Sequence, residues 1–236
     1  MKKIVLAVIC AIGFQSSSIA QETVEMTSSG TATDTTACSS KVKGGLYASF
    51  GAAFLGDYKI SDKLRMAGAP VMAETIPEFA IGINVSGQQF SVDLEATAGY
   101  SDEKNNDTRV RTAVAGFKLR GHYVPYRTQS FFFSGGADLS FIGTQADIFS
   151  RSNEIDLNNL DPDTHTGHIS LRNGLLYAGP SVAVGLFQNK SFPIRLNLGY
   201  EWGLTNGKWE SDFADVRNTV KESGHGRAYA RITIGL

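Results

Sequence analysis

The chain has 236 residues, with 22 Lys and Arg against 23 Asp and Glu for a net charge of −1, and 42% of it is hydrophobic. That charge balance gives no basic footprint for nucleic acid. Beyond residue 20 no apolar run is long enough to cross a membrane as a helix, so helices do not account for the hydrophobic content.

Lys2 and Lys3 open the chain, Ile4 to Phe14 is apolar apart from small residues, and Ser18-Ile19-Ala20 places small residues where a signal peptidase reads. Residues 1–20 are therefore read as a cleaved secretory signal peptide. Ile9 stands before Cys10, where a lipoprotein would need a small residue. With Cys10 removed, Cys38 is alone and no intramolecular disulfide is available. Residues 21–42 are rich in Thr and Ser with almost nothing to bury, and are expected to form a flexible periplasmic tail.

From residue 43 onward hydrophobic residues fall on alternate positions in eight segments. The first, near Gly44–Leu55, sets Leu46, Ala48, Phe50, Ala52 and Phe54 against Tyr47, Ser49, Gly51 and Ala53. The second, near Pro77–Ser86, puts Phe79, Ile81, Ile83 and Val85 on one face. In the third, Phe90, Val92, Leu94, Ala96, Ala98 and Tyr100 alternate with Ser91, Asp93, Glu95, Thr97 and Gly99. The fourth, about Arg111–Tyr123, sets Ala113, Ala115, Phe117, Leu119 and Tyr123 against Lys118, Arg120 and His122. The fifth opposes Phe131, Phe133, Ala137, Leu139 and Phe141 to Ser134, Asp138 and Ser140, with Phe132 and Ile142 interrupting the polar side. The sixth, near Gly174–Phe187, points Leu176, Ala178, Val182, Val184 and Leu186 outward. Pro180 shares that side and, lacking a ladder donor, suggests a bulge. The seventh sets Ile194, Leu196, Leu198, Tyr200, Trp202 and Leu204 against Arg195, Asn197 and Glu201. The eighth sets Ala228, Ala230, Ile232, Ile234 and Leu236 against Arg227, Tyr229, Arg231 and Thr233.

Runs of roughly ten residues match a tilted strand crossing hydrocarbon. Long connections near 56–76, 101–110, 143–171 and 205–224 alternate with short ones near 87–89, 124–130 and 188–193. The expected fold is all-β: an eight-stranded antiparallel transmembrane β-barrel over residues 43–236, with short periplasmic turns and longer extracellular loops. An even number of strands lets the sheet close and removes its edges. Parity sends Tyr47 and Tyr229 inward, and Tyr100, Tyr123, Phe131 and Trp202 outward near strand ends, where they suit an interfacial girdle. A soluble lipocalin-like barrel would have the opposite polarity.

The same parity gives the lumen Asp93, Glu95, Lys118, Arg120, His122, Asp138, Arg195, Glu201, Arg227 and Arg231. Eight strands enclose only enough room for side chains. Those charges must pair or hold trapped water, which favours a packed polar plug over a small channel. Inner glycines such as Gly82 and Gly199 supply packing room.

Chemistry has few footholds. His168 and Ser170 share the lipid-facing parity of the sixth segment, and a histidine can deprotonate a serine when a carboxylate orients it, with Glu154, Asp161 and Asp163 as candidates. His168-Ile169-Ser170-Leu171 resembles the His-x-Ser-Asn stretch of the lipid A 3-O-deacylase barrels. Leu171 replaces the asparagine, and Asn173 arrives late. The resemblance implies a membrane hydrolase with His168 and Ser170 as base and nucleophile. His165 and His168, with Asp161 and Asp163, offer an alternative metal site at an exposed loop. Glu201 and Glu210 show no evident partner arrangement. No Gly-rich phosphate loop opens a helix, and no cofactor is implied.

Leu46–Leu55, Phe90–Tyr100, Ile194–Leu204 and Arg227–Leu236 together resemble the outer membrane protein β-barrel superfamily, the porin-like and OmpA/OmpX-like eight-stranded proteins, over Lys43 to Leu236. Members typically end in an aromatic residue read by the barrel assembly machinery, whereas this chain ends in Leu236. The resemblance implies a Gram-negative outer membrane reached through the Sec pathway. It also implies contact with outer-membrane lipids and lipopolysaccharide, and a structural or surface-interaction role without a peptidoglycan-binding domain. The loops around 156–163 and 210–215 would be its recognition surface for a cation, a ligand or an extracellular protein.

Overall fold

A computed structural model describes residues 43–150, 167–187, 193–217, 220–223 and 225–235. The expected signal peptide and periplasmic tail lie outside these residues, as do Glu154, Asp161, Asp163 and His165.

Eight strands form one hydrogen-bonded ring. They are β1 (Lys43–Leu55), β2 (Thr75–Ser86), β3 (Phe90–Lys104), β4 (Thr108–Arg127), β5 (Phe131–Ser150), β6 (His168–Leu186), β7 (Ile194–Gly203) and β10 (Gly226–Gly235). Around the ring the order is β1-β10-β7-β6-β5-β4-β3-β2, every neighbour is antiparallel, and β1 closes on β10 from Tyr47↔Gly235 to Leu55↔Arg227. Closure satisfies the backbone internally, the condition for crossing hydrocarbon. Two short strands, β8 (Gly207–Lys208) and β9 (Lys221–Glu222), make a separate ribbon, and one short helix, α1 (Ile60–Met66), follows β1.

The wall has inverted polarity. Leu46, Phe79 and Ile81 are more than 60% exposed, while Glu95 and Lys118 are 2% or less exposed. In water that arrangement would be costly on both faces. In a bilayer it solvates the apolar side chains and encloses the charges. Along β5 the outward apolar band runs from Phe131 to Phe141, about 33 Å of strand at about 3.3 Å per residue, and with a tilt of about 40° it spans about 25 Å of hydrocarbon.

Three expectations are corrected. Strand extends into the segments 101–110 and 143–171, where loop was expected: β3 and β4 continue to a tight turn at 105–107, β5 reaches Ser150, and β6 starts at His168, residues 151–166 lying outside the described ones. One half of the barrel wall, β3 to β6, therefore rises above the other half. Pro180 makes no bulge, because β6 keeps one register with β5 along its whole length and with β7 on either side of a two-residue gap. The register shift lies instead in β4 between Tyr123 and Tyr126, around Pro125. Finally, the segment before β2 carries a helix that alternation alone does not reveal. Ile60 and Leu64 form its buried face at i, i+4 spacing.

Candidate functional site

The lumen holds every charge that parity assigned to it, and one more. Glu78 on β2 is 1% exposed and faces inward beside Gly51 and Gly99. Parity could have found it, since it precedes the outward Phe79. With Glu78 included, the buried carboxylates Glu78, Asp93, Glu95, Asp138 and Glu201 match the cations Lys118, Arg120, Arg195, Arg227 and Arg231 in number. One connected network fills the middle of the pore.

At its outer end Arg227 bridges Glu78 at 2.5 Å and Glu201 at 3.1 Å. Lys118 joins Glu201 at 3.0 Å to Asp138 at 3.4 Å. Arg120 lies between Asp138 at 3.2 Å, Asp93 at 3.1 Å and Glu95 at 3.5 Å. Arg231 meets Glu95 at 2.5 Å, and Arg195 meets Asp93 at 2.7 Å nearest the short turns. Glu201, which lacked an evident partner in the sequence, thus serves two cations and accepts from Ser140. His122 lies between the Ser134 and Ser181 hydroxyls at 3.0 and 2.7 Å.

Tyr229 fills the centre. Its hydroxyl donates to Asp138 and accepts from Arg120, and Lys118 Nζ sits 3.4 Å above its ring. The ring has room only because residue 199 is glycine: a Cβ there would stand 2.5 Å from Tyr229 Cε1. Tyr47 covers Gly82 in the same way and donates to Glu95. Below the network a cavity of about 340 Å³ opens at the short-turn end of the barrel, lined by Lys43, Tyr47, Arg127 and Arg195 among others.

Above the network the lumen turns apolar. Tyr58, Ile60, Leu64, Met72 and Trp209, from the two loops that follow β1 and β7, bury themselves against Val110, Val114, Ile142, Ala146 and Leu175 of the raised strands. Glu222 is fully buried and ties the two loops together. It accepts from Lys59 N–H at 2.8 Å, Ile60 N–H at 3.0 Å and Trp209 Nε1–H at 3.0 Å, replacing the side-chain cap that α1 lacks. His225 packs at a tilt against Tyr58, with centroids 4.7 Å apart, and hydrogen-bonds the Tyr177 hydroxyl at 2.7 Å. Burial pushes its pKa down, Glu222 pulling it up and Lys59 pushing it down further. The outer mouth is therefore sealed by a small hydrophobic core.

His168 and Ser170 lie on the outer face of the raised sheet, where Ser170 pairs with Asp147 and His168 with Phe149. Asp147, which the sequence reading did not consider, is the carboxylate near both. His168 Nε2 lies 3.5 Å from it, and the Ser170 hydroxyl hydrogen-bonds it. The order along the wall is serine, carboxylate, histidine. Acyl transfer needs the imidazole between the other two. His168 instead stacks on Phe149 with centroids 4.5 Å apart. His165, Asp161 and Asp163 lie outside the described residues, and among the described residues no group of three acidic, His or Cys side chains could hold a metal. Glu210 forms a backbone bridge with Arg172.

A closed ring, an apolar outer belt and an ionic lumen decide the fold. The chain is an eight-stranded transmembrane β-barrel. No family model matches it, and no curated protein matches it. Among solved structures, this barrel is similar to Ail, the attachment invasion locus protein of Yersinia pestis, at 10% identity and TM-score 0.46 over 81% of this chain and 97% of that one. It is similar to Neisserial surface protein A at 14% identity and TM-score 0.42 over 83% and 99%. It is also similar to the outer membrane protein OprG from Pseudomonas aeruginosa at 12% identity and TM-score 0.41 over 83% and 94%.

Proposed function

We propose that the protein is an exported, non-enzymatic barrel of a Gram-negative outer membrane, serving a structural or surface-interaction role through its raised strands and outer loops. One observation carries this reading: the lumen is blocked by a charge-matched network with an apolar core above it. An ion would have to displace paired buried charges, each move leaving a partner uncompensated. The remaining surface above the membrane is the outer one. The serine–carboxylate–histidine order on the wall gives no support to lipid hydrolysis by His168 and Ser170.

A paired assay on protein refolded in lipid tests the reading. Mass spectrometry of lipid A before and after incubation reports hydrolysis, and a planar bilayer reports conductance. The expected result is intact lipid A and no steady current steps. A lost acyl chain that Ser170→Ala abolishes, or stepwise current, would overturn it.

A further inference from the structure

The outer wall of the raised sheet, directly above the apolar belt, carries a polar and aromatic surface that the barrel itself does not use. On β5 the outward residues change from Phe141 and Gly143 to Gln145, Asp147 and Phe149. On β6 they change from Leu176 and Gly174 to Arg172, Ser170 and His168. Cross-strand register aligns Asp102, Arg111, Asp147 and Ser170 in one row, and Lys104, Arg109, Phe149 and His168 in the next. On β5 these rows stand about 20 and 26 Å beyond Phe141 at about 3.3 Å per residue, roughly 15 and 20 Å along the membrane normal with strand tilt, past the phosphate headgroups and at the level of a glycolipid's sugars.

The aromatic part is Phe149 stacked on His168, Arg111 5.1 Å from the Phe149 centroid, and Phe213 6.0 Å from the His168 ring with 75% of its surface exposed. An exposed phenylalanine on a membrane protein's watery end is an uncovered apolar face. The polar part is hydrogen-bonding rather than strongly charged. Gln145 donates to both Asp147 oxygens, Arg109 grips Asp102 through two nitrogens, and Arg172 pairs with Asp212. Arg109 and Arg172 are each held by a carboxylate, and Asp147 accepts from the Gln145 amide beside Ser170 and His168, which leaves amide, hydroxyl and carboxylate groups next to flat rings. That combination suits a sugar ring, with its apolar C–H face on an aromatic side chain and its hydroxyls on fixed polar groups.

We infer that this face binds the sugar portion of an outer-leaflet glycolipid, with Phe213 and the Phe149–His168 stack as the platform and Asp147, Gln145 and Arg172 as hydroxyl partners. Continuity with the lipid belt selects the occupant: a glycan anchored in the same leaflet is held against this wall, whereas a soluble glycan must find it. The inference rests on the reading that this end of the barrel faces outward.

The test uses full-length mature protein refolded in a sugar-free detergent. The probes are a dephosphorylated core oligosaccharide released from lipopolysaccharide, and inorganic phosphate, followed by saturation-transfer NMR. The oligosaccharide should bind, Phe213→Ala should weaken it by about tenfold, and phosphate should not displace it. The belt and lumen are untouched by Phe213→Ala, so heat-modifiable folding should be retained. Absence of oligosaccharide binding, equal binding by Phe213→Ala, or displacement by phosphate overturns the inference. A separate arm labels Phe213→Cys, in a Cys38→Ser background, with a membrane-impermeant maleimide on intact cells. Labelling together with absent sugar binding sinks the glycan inference alone. Absence of labelling sinks the orientation on which it rests.

Discussion

Replacing Glu78 by Gln removes one negative charge from a network with none to spare. Arg227 then keeps only Glu201 as a partner, and Glu201 already neutralises Lys118 at 3.0 Å. Arg227 and Glu78 are 1% exposed or less, so water reaches neither in the native state. Breaking a buried pair from one side costs about 3–5 kcal/mol, and the proximity of two cations to one carboxylate puts Glu78→Gln within that range. The reciprocal change Arg227→Met leaves Glu78 uncompensated and should cost a similar amount. Together the two changes restore charge balance, with Glu201 matched to Lys118. The double variant should therefore be less destabilised than the sum of the singles by roughly 3 kcal/mol. Urea unfolding in lipid vesicles, followed by loss of the heat-modifiable band, measures all three. A single-variant cost below about 1 kcal/mol, or additive costs, would show that water enters this part of the lumen and that the network is not what fills it.

The remaining expectations concern the seal and the packing beneath it. Glu222→Ala strands three donors, two of them buried, so protease cleavage between residues 56 and 74 should accelerate, reflecting about 1–3 kcal/mol of local stability per buried donor. No conductance should appear, because the ionic network below remains, and current steps in this variant would refute the two-part closure. Gly199→Val forces the Tyr229 ring off Asp138 and Arg120, and should destabilise by about 1–3 kcal/mol in the same unfolding assay. Burial holds the His225 pKa below the ordinary 6.5. Above 6.5 neither the folded nor the unfolded form is protonated there, and the seal has its full stability. As the pH falls below 6.5 the unfolded form gains a proton that the folded one refuses, and stability is lost. Trypsin sensitivity of the outer loops should rise between pH 7 and pH 5, and His225→Gln should flatten that rise; an equal rise in both proteins would assign it to other groups.

Strand number, facing and most of the lumen were legible because alternation is a period-two signal that a bilayer enforces on every crossing segment. Glu78 escaped because its neighbours on the same face, Ala80 and Gly82, are small and uncharged, so the polar side of β2 looked empty. Pro180 misled because its missing donor was read as a break in register. The structure leaves that pairing with β7 unmade and resumes in phase at Ser181↔Gly199. Ile60, which opens the helix over 60–66, and the carboxylate of Glu222 that caps it are 162 residues apart in the chain, a contact that no local pattern encodes.

The missed strand extensions have a different cause, and it bears on function. Outward alternation of apolar residues stops near Ala113 on β4 and Gly143 on β5, which looks like the end of a strand. The inward positions keep alternating past that point and change sign: Ser140 gives way to Ile142, Ala146 and Ile148, while Phe141 gives way outward to Gln145 and Asp147. The backbone continues through a change of solvent. Below the boundary, lipid outside and ions inside set the polarity. Above it, water outside and the small apolar core inside reverse the polarity, as in an ordinary soluble sheet. A reversal of facing within one strand thus marks the edge of the hydrocarbon, and on β3 to β6 it falls well short of the strand ends. The chain invests in hydrogen-bonded sheet beyond what crossing the membrane requires. That extra sheet, held beyond the lipid on one side only, is the surface on which the proposed role rests.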